Sequence, residues 1–195
     1  MHMELTMTSQ FQPHDIVDFH YHTLSGTTEE QTYYVPGGFH PIIISDILGP
    51  SPENESRQYR IRQKLGFGSH STVWLAQKTD SIQAFVALKI TMSKDGMTKE
   101  AAMLVEASSR VQTTHLITLL DHFILHGLNG THTVLVTDIV VPMRSLIRLQ
   151  HRPVWDKAAA HGLTQAVADL HITGIVHGSV YGSTISIDES CQTLL

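Results

Sequence analysis

The sequence predicts an α+β fold. Two observations carry this: three strand-like segments follow one another with short turns between them, and one helical segment separates them from two further apolar strands. The first segment, "YRIRQKL" (59–65), alternates, with Tyr59, Ile61 and Leu65 on one side and Arg60, Arg62 and Lys64 on the other. "GFGSHS" interrupts it. "TVWLAQ" (72–77) is β-branched and aromatic, "KTDS" (78–81) is a turn, and "AFVALKI" (84–90) is the third strand. Together they predict an antiparallel meander.

"MTKEAAMLVEASSR" (97–110) is rich in helix formers, with Ala101, Leu104, Val105 and Ser108 near one face. "LITLLDHFIL" (116–125) and "HTVLVTDIV" (132–140) are apolar strands, and "HGLNGT" between them supplies an Asn-Gly turn. After Pro142 the pattern becomes helical. A short helix is expected over 143–150. A longer one is expected over 154–174, where Leu163, Ala166, Val167 and Leu170 share a face and Gly174 ends it. Residues 1–32 read as a flexible leader and 33–58 as a lead-in and linker. Residues 59–141 read as a β-rich body and 142–195 as a largely helical part.

Composition narrows the function. The 195 residues include 42% hydrophobic ones, enough for a core, and the net charge of −5 gives no reason to expect nucleic-acid binding. Fourteen histidines are scattered without metal-ligand spacing. The single cysteine, Cys191, cannot form an internal disulfide, which favours a reducing compartment. The polar N-terminus has no signal-peptide core, and no apolar run approaches the ~20 residues of a spanning helix. A chain in the cytoplasm or nucleus, away from membranes, is therefore expected. The sequons at Asn54 and Asn129 are read as chance matches.

One constellation carries chemistry. Gly66-Phe67-Gly68-Ser69-His70-Ser71-Thr72-Val73 is a glycine-rich turn between two strands. Such a turn can fold closely over a phosphate chain; alone, it equally fits a plain hairpin. Lys89 lies two residues beyond Ala87 on one strand face. An anion would justify a lysine on an apolar strand, and Ala87 leaves room for a flat ring. A lysine snorkelling from the strand edge is the alternative. Glu100 is favoured to orient Lys89 by an ion pair, since Met103 and Leu104 after it suit inward packing. Glu106 is held in reserve.

These features together resemble the small lobe and hinge of a eukaryotic protein kinase, with the SR-protein kinases the nearest likeness. "YYVPGGFHPI" (33–42) resembles that family's lead-in, and "RQKLGFGSHSTVWLA" (62–76) its glycine loop, with Ser71 in place of the third glycine. "LNGTH" (128–132) resembles its hairpin and "LHITGIVH" (170–177) the approach to its catalytic loop. The resemblance covers about residues 33–190. It implies a protein-kinase-like fold, ATP with magnesium as cofactor, and arginine-serine-rich proteins or another regulatory protein as partners. It also implies roles. Gly66, Gly68 and Ser71 would line the phosphate roof. Leu65, Val73 and Ala87 would sandwich adenine, and Lys89 would hold the α- and β-phosphates. Thr137 would be the gatekeeper, and Asp138 to Val140 the hinge.

The resemblance fails where catalysis needs it. In "IVHGSVYGSTISI" (175–187), aligned on His177, Ser179 stands at the catalytic Asp position, Tyr181 at the loop Lys and Thr184 at the metal-holding Asn. A serine hydroxyl does not accept a proton as a carboxylate does at neutral pH, and Thr184 offers one weak oxygen to magnesium. The sequence given contains no Asp-Phe-Gly motif. The expectation is an ATP-binding, catalytically impaired kinase-like domain. The alternatives are a fragment of an active SR-protein kinase and a binding module that needs no nucleotide.

Overall fold

The computed structural model describes residues 29–93, 99–110, 115–142 and 157–176, and the backbone of 186–187 and 193–194. The chain divides into two units between Glu30 and Gln31, and its strands and helices among the described residues belong to the second. The elements in chain order are β1 (Ile47–Leu48), β2 (Tyr59–Phe67), β3 (Ser71–Lys78), β4 (Phe85–Thr91) and α1 (Lys99–Arg110). They continue with β5 (Leu119–Gly127), β6 (Gly130–Thr137), β7 (Val141–Pro142), α2 (Lys157–Ile172), β8 (Ser186–Ile187) and β9 (Thr193–Leu194). The helix expected over 143–150 lies outside the described residues.

Six strands form one antiparallel sheet in the order β1-β2-β3-β4-β6-β5. The meander of β2, β3 and β4 is as expected. β6, not β5, pairs with β4, so the Asn-Gly hairpin folds its second strand inward. Leu128 and Asn129 alone separate its strands, a tighter connection than the six-residue turn expected. Positive φ at Gly130 (123°) allows that turn.

Period-two burial builds the core on one sheet face. Trp74, Ala76, Val86, Leu88, Ile90, Val134 and Val136 are buried there with Tyr59, Ile61 and Phe123. Tyr59 and Phe123 stack with their ring planes 2° apart. Full burial of a side chain such as Leu88 stabilises by about 1.5–3 kcal/mol. The lead-in covers this face. Ile42 packs against the cluster and Leu48 is part of it. Residues 45–48 also extend the sheet: Ser45 N–H donates to the Ile61 carbonyl and Ile61 N–H to the Asp46 carbonyl.

β2 departs from the simple alternation expected. Its register against β3 slips between Ile61 and Gln63 and again between Lys64 and Gly66. Each slip inserts one residue and re-aims the rest of the strand. Leu65 consequently leaves the side shared by buried Tyr59 and Ile61 and stands 44% exposed. Lys64 lies over the Trp74 ring, 5.1 Å from its centroid. Strand β2 also runs through Gly66 and Phe67, so the turn expected at Gly66 begins only at Gly68.

In α1 the inward positions are Ala101, Leu104 and Ala107; Met103 and Val105 are exposed, contrary to expectation. In α2, Ala166 and Leu170 are buried, with Leu163 and Val167 partly so. Its end is a Schellman motif: Ile175 N–H reaches the Leu170 carbonyl, Gly174 N–H reaches that of His171, and Gly174 has φ 79°. β8 and β9 join β7 in a second, three-stranded sheet. Ile187 pairs with Val141, so β8 lies beside the short strand that follows β6.

Candidate nucleotide site

Two rows of residues cross the sheet. Gly66, Val73, Lys89 and Leu135 are register partners in sequence across β2, β3, β4 and β6. One pair along lies the row Gln63, Leu75, Ala87 and Thr137. Alternation places both rows on the face opposite the core cluster. The sheet thus places the glycine-rich segment, Val73, Ala87, Lys89 and Thr137 on one face. Ala87 and Thr137 are buried, and Lys89 and Val73 are half-buried.

An open cleft of about 540 Å³ lies on this face, lined by Leu65, Leu75, Gln83, Ala84, Phe85 and Ile139. Small-molecule sites span roughly 300–1,000 Å³ and have mostly apolar walls. Leu65 reaches the cleft because of the second slip in β2, and Ile139 comes from the segment after β6. Leu75 is the register partner of Ala87. The cleft therefore begins where the small Ala87 and Thr137 leave off. Sequence reasoning missed Leu75 and Phe85, although both share parity with Ala87 and Lys89 across the β3–β4 pair. At the end of β6, the Thr137 hydroxyl donates to the Asp138 carbonyl at 3.1 Å. Asp138 is exposed, and Ile139 and Val140 are half-buried.

The glycine turn is closed by Gly68 N–H donating to the Ser71 carbonyl at 2.7 Å. Ser71 is buried. Neither Gly66 nor Gly68 has positive φ. A Cβ on Gly66 would meet open space, and one on Gly68 only the Ser71 hydroxyl at 3.6 Å. The fold itself does not demand glycine at these positions. What the two glycines leave is clear space along the turn.

Glu106, the reserve partner for Lys89, pairs with Arg110 one turn on, at 2.7 Å. Glu100 lies in α1, but its side chain is outside the described residues. Of the two packing positions that favoured Glu100, Leu104 turns inward and Met103 is exposed. Ser179, Tyr181 and Thr184 also lie outside the described residues.

Away from the site, Arg57 grips Asp121 through two nitrogens, at 2.9 and 2.6 Å, and donates to the His122 carbonyl. The Tyr59 hydroxyl donates to the same carboxylate at 2.9 Å. Burial pushes the Asp121 carboxyl up, but the bonds from Arg57, Tyr59 and the His122 amide outweigh it and hold it below the usual range. Burial and the Asp121 bond push the Tyr59 phenol up.

The two motifs that flank the sheet also meet. Gly37 N–H donates to the Asn129 carbonyl, and Asn129 Nδ2 donates to the Phe39 carbonyl, both at 2.7 Å. Ser93 joins them: its N–H donates to the Gly38 carbonyl, and its hydroxyl accepts from Thr131 N–H. The lead-in and the "LNGTH" hairpin are thus one packed unit.

The chain is 32% identical to protein kinase dsk1 of Schizosaccharomyces pombe over 74% of its own length and 28% of that protein. It is 32% identical to serine/threonine-protein kinase spk-1 of Caenorhabditis elegans, covering 57% of this chain and 11% of that one. With human SRSF protein kinase 3 the identity is 29%, over 57% of this chain and 20% of that protein.

The chain is SR-protein-kinase-like. It spans between 11% and 28% of the length of these three relatives. No family model matches it. The mixed fold with an antiparallel sheet is consistent with the small lobe of this SR-protein-kinase-like chain.

Proposed function

We propose that this SR-protein-kinase-like chain binds ATP through its small lobe and transfers phosphate poorly or not at all. The observation that carries the reading is the shared face of Gly66, Val73, Ala87 and Lys89, which ends at an apolar cleft against the hinge. The residues fit the nucleotide in kind. Lys89 supplies positive charge, Ala87 and Thr137 leave space for a ring, and Gly66 leaves the backbone accessible. Impaired transfer rests on Ser179, Tyr181 and Thr184, which supply neither a carboxylate base nor an amide oxygen for magnesium. Magnesium would supply charge neutralisation when bound with the nucleotide, and Thr184 is a poor holder for it. By likeness to its relatives, the partner class is arginine-serine-rich proteins, met in the cytoplasm or nucleus.

The test is ligand-linked melting of the full chain. A ligand that binds only the folded state raises the melting temperature. ATP should raise it modestly, with little dependence on magnesium, and Lys89→Met should remove the shift. The absence of any shift in the parent chain refutes nucleotide binding. Radiolabel transfer to an arginine-serine peptide above the Lys89→Met background refutes the impairment.

A further inference from the structure

The lead-in is held against the hairpin by more than the Gly37–Asn129 pair. His40 and His132 meet edge to face, with ring centroids 4.9 Å apart and planes inclined at 62°. His132 is fully buried. Its Nδ1 lies 2.8 Å from the Thr91 carbonyl, which can only accept, so Nδ1 carries the proton and Nε2 carries a lone pair. Neither His132 Nε2 nor the buried His40 Nδ1 has a hydrogen-bond partner among the described residues. Gly127 makes the slot for His40: a Cβ there would overlap the imidazole. One ring of the lead-in therefore lies across the hairpin strands, over Gly127 of β5 and against the His132 ring of β6.

The surroundings suit two neutral imidazoles. From the lead-in side, Asp46 acts on His40, but its carboxylate accepts the Ile43 amide. On the hairpin, His126 turns to the Thr131 hydroxyl. β4 offers His132 only the Thr91 carbonyl. No carboxylate hydrogen-bonds either ring among the described residues. We propose that the His40–His132 contact is a proton-sensitive latch, which seats the lead-in on the hairpin at neutral pH and releases it when either ring gains a proton.

Burial pushes His40 below its ordinary value, His132 pushes it further, and Asp46 opposes in part. Burial likewise lowers His132, partly opposed by the bond to Thr91. Both folded values thus lie below the unfolded one, so the undocked state takes protons first. Latch stability is complete above about pH 6.5 and drains away as pH falls below that.

Hydrogen exchange of the full chain, corrected for intrinsic rates, tests this. Between pH 7.5 and 5.5 the amides of Gly37, Phe39 and Ser93 should lose protection by up to roughly tenfold per pH unit per proton taken up. Amides within β3 and β4 should keep theirs. His132→Asn, which retains a donor toward Thr91 but cannot charge, should flatten the profile, as should His40→Phe. Unchanged lead-in protection in the parent, or the same acid loss in both variants, overturns the latch. If either variant fails to fold, imidazole titration of the parent by NMR decides. Two rings titrating at the ordinary histidine value overturn the proposal, and two titrating lower, together with release of the lead-in, support it.

Discussion

Gly37 and Asn129, 92 positions apart in the chain, are joined by a 2.7 Å backbone hydrogen bond from the Gly37 amide to the Asn129 carbonyl. The Asn129 side chain returns a bond to Phe39 from a buried position. Asn129→Ala leaves the Phe39 carbonyl unpartnered on that side, and losing one member of a buried pair costs about 1–3 kcal/mol. Chemical denaturation should show that loss as a lower midpoint at unchanged slope. Gly38→Ala should be worse, because a Cβ there overlaps the Tyr33 carbonyl oxygen.

Gly66 separates folding from binding. Open space surrounds its Cβ position and its φ is not positive, so Gly66→Ala should leave stability within about 1 kcal/mol of the parent. If phosphates lie along the turn, the same methyl intrudes on them. The expected outcome is an unchanged melt without ligand and a reduced ATP-induced shift. An undiminished shift in Gly66→Ala would place the phosphates elsewhere.

Acid sensitivity should centre on Asp121. Its folded value is held below the unfolded one, so its contribution is present above about pH 4 and is lost as pH falls through the folded value. Asp121→Asn should flatten the stability profile over that acid window. At neutral pH it should cost about 1.5–3 kcal/mol, as expected for a hydrogen bond to a charged group. Melting temperatures recorded from pH 2 to pH 7 for both chains would reveal the difference.

Thr137 faces Ala87 across the β4–β6 pair, and both are small and buried. An ATP analogue enlarged at the exocyclic amine should therefore still stabilise the parent chain. Thr137→Phe should exclude that analogue while keeping the response to ATP itself. The larger ring should also lower stability by about 1–3 kcal/mol through overpacking. Melting shifts for the four combinations of chain and ligand check this.

Which parts of the molecule were legible depended on how local their causes are. β3, β4 and α2 follow from periodic apolar residues, and Ala166 and Leu170 are buried where their spacing put them. Leu65 shows the opposite case. Its parity with Ile61 is plain in the sequence, but the first register slip against β3 reverses the parity and the second leaves Leu65 itself without a register partner, and slips are set by the partner strand. Met103 reads as inward on hydrophobicity alone, yet the small Ala101 and Ala107 make the contact. The face shared by Ala87 and Lys89 was readable because it needs only period two. Its apolar end at Leu75 and Phe85 was not, since it takes the pairing of β3 with β4 to bring them beside Ile139. The lead-in looked like a linker because its partners, Ser93 and Asn129, lie far along the chain.

That separation has a consequence during synthesis. Phe39 and the Asn129 side chain that bonds it are 90 residues apart. At ~5–20 residues per second, the ribosome delivers Asn129 on the order of 5–20 s after Phe39. Throughout that interval Phe39 and Ile42 have no finished sheet to cover. The lead-in is made first and docks late, which leaves it open to capture by a chaperone until the β5–β6 hairpin emerges.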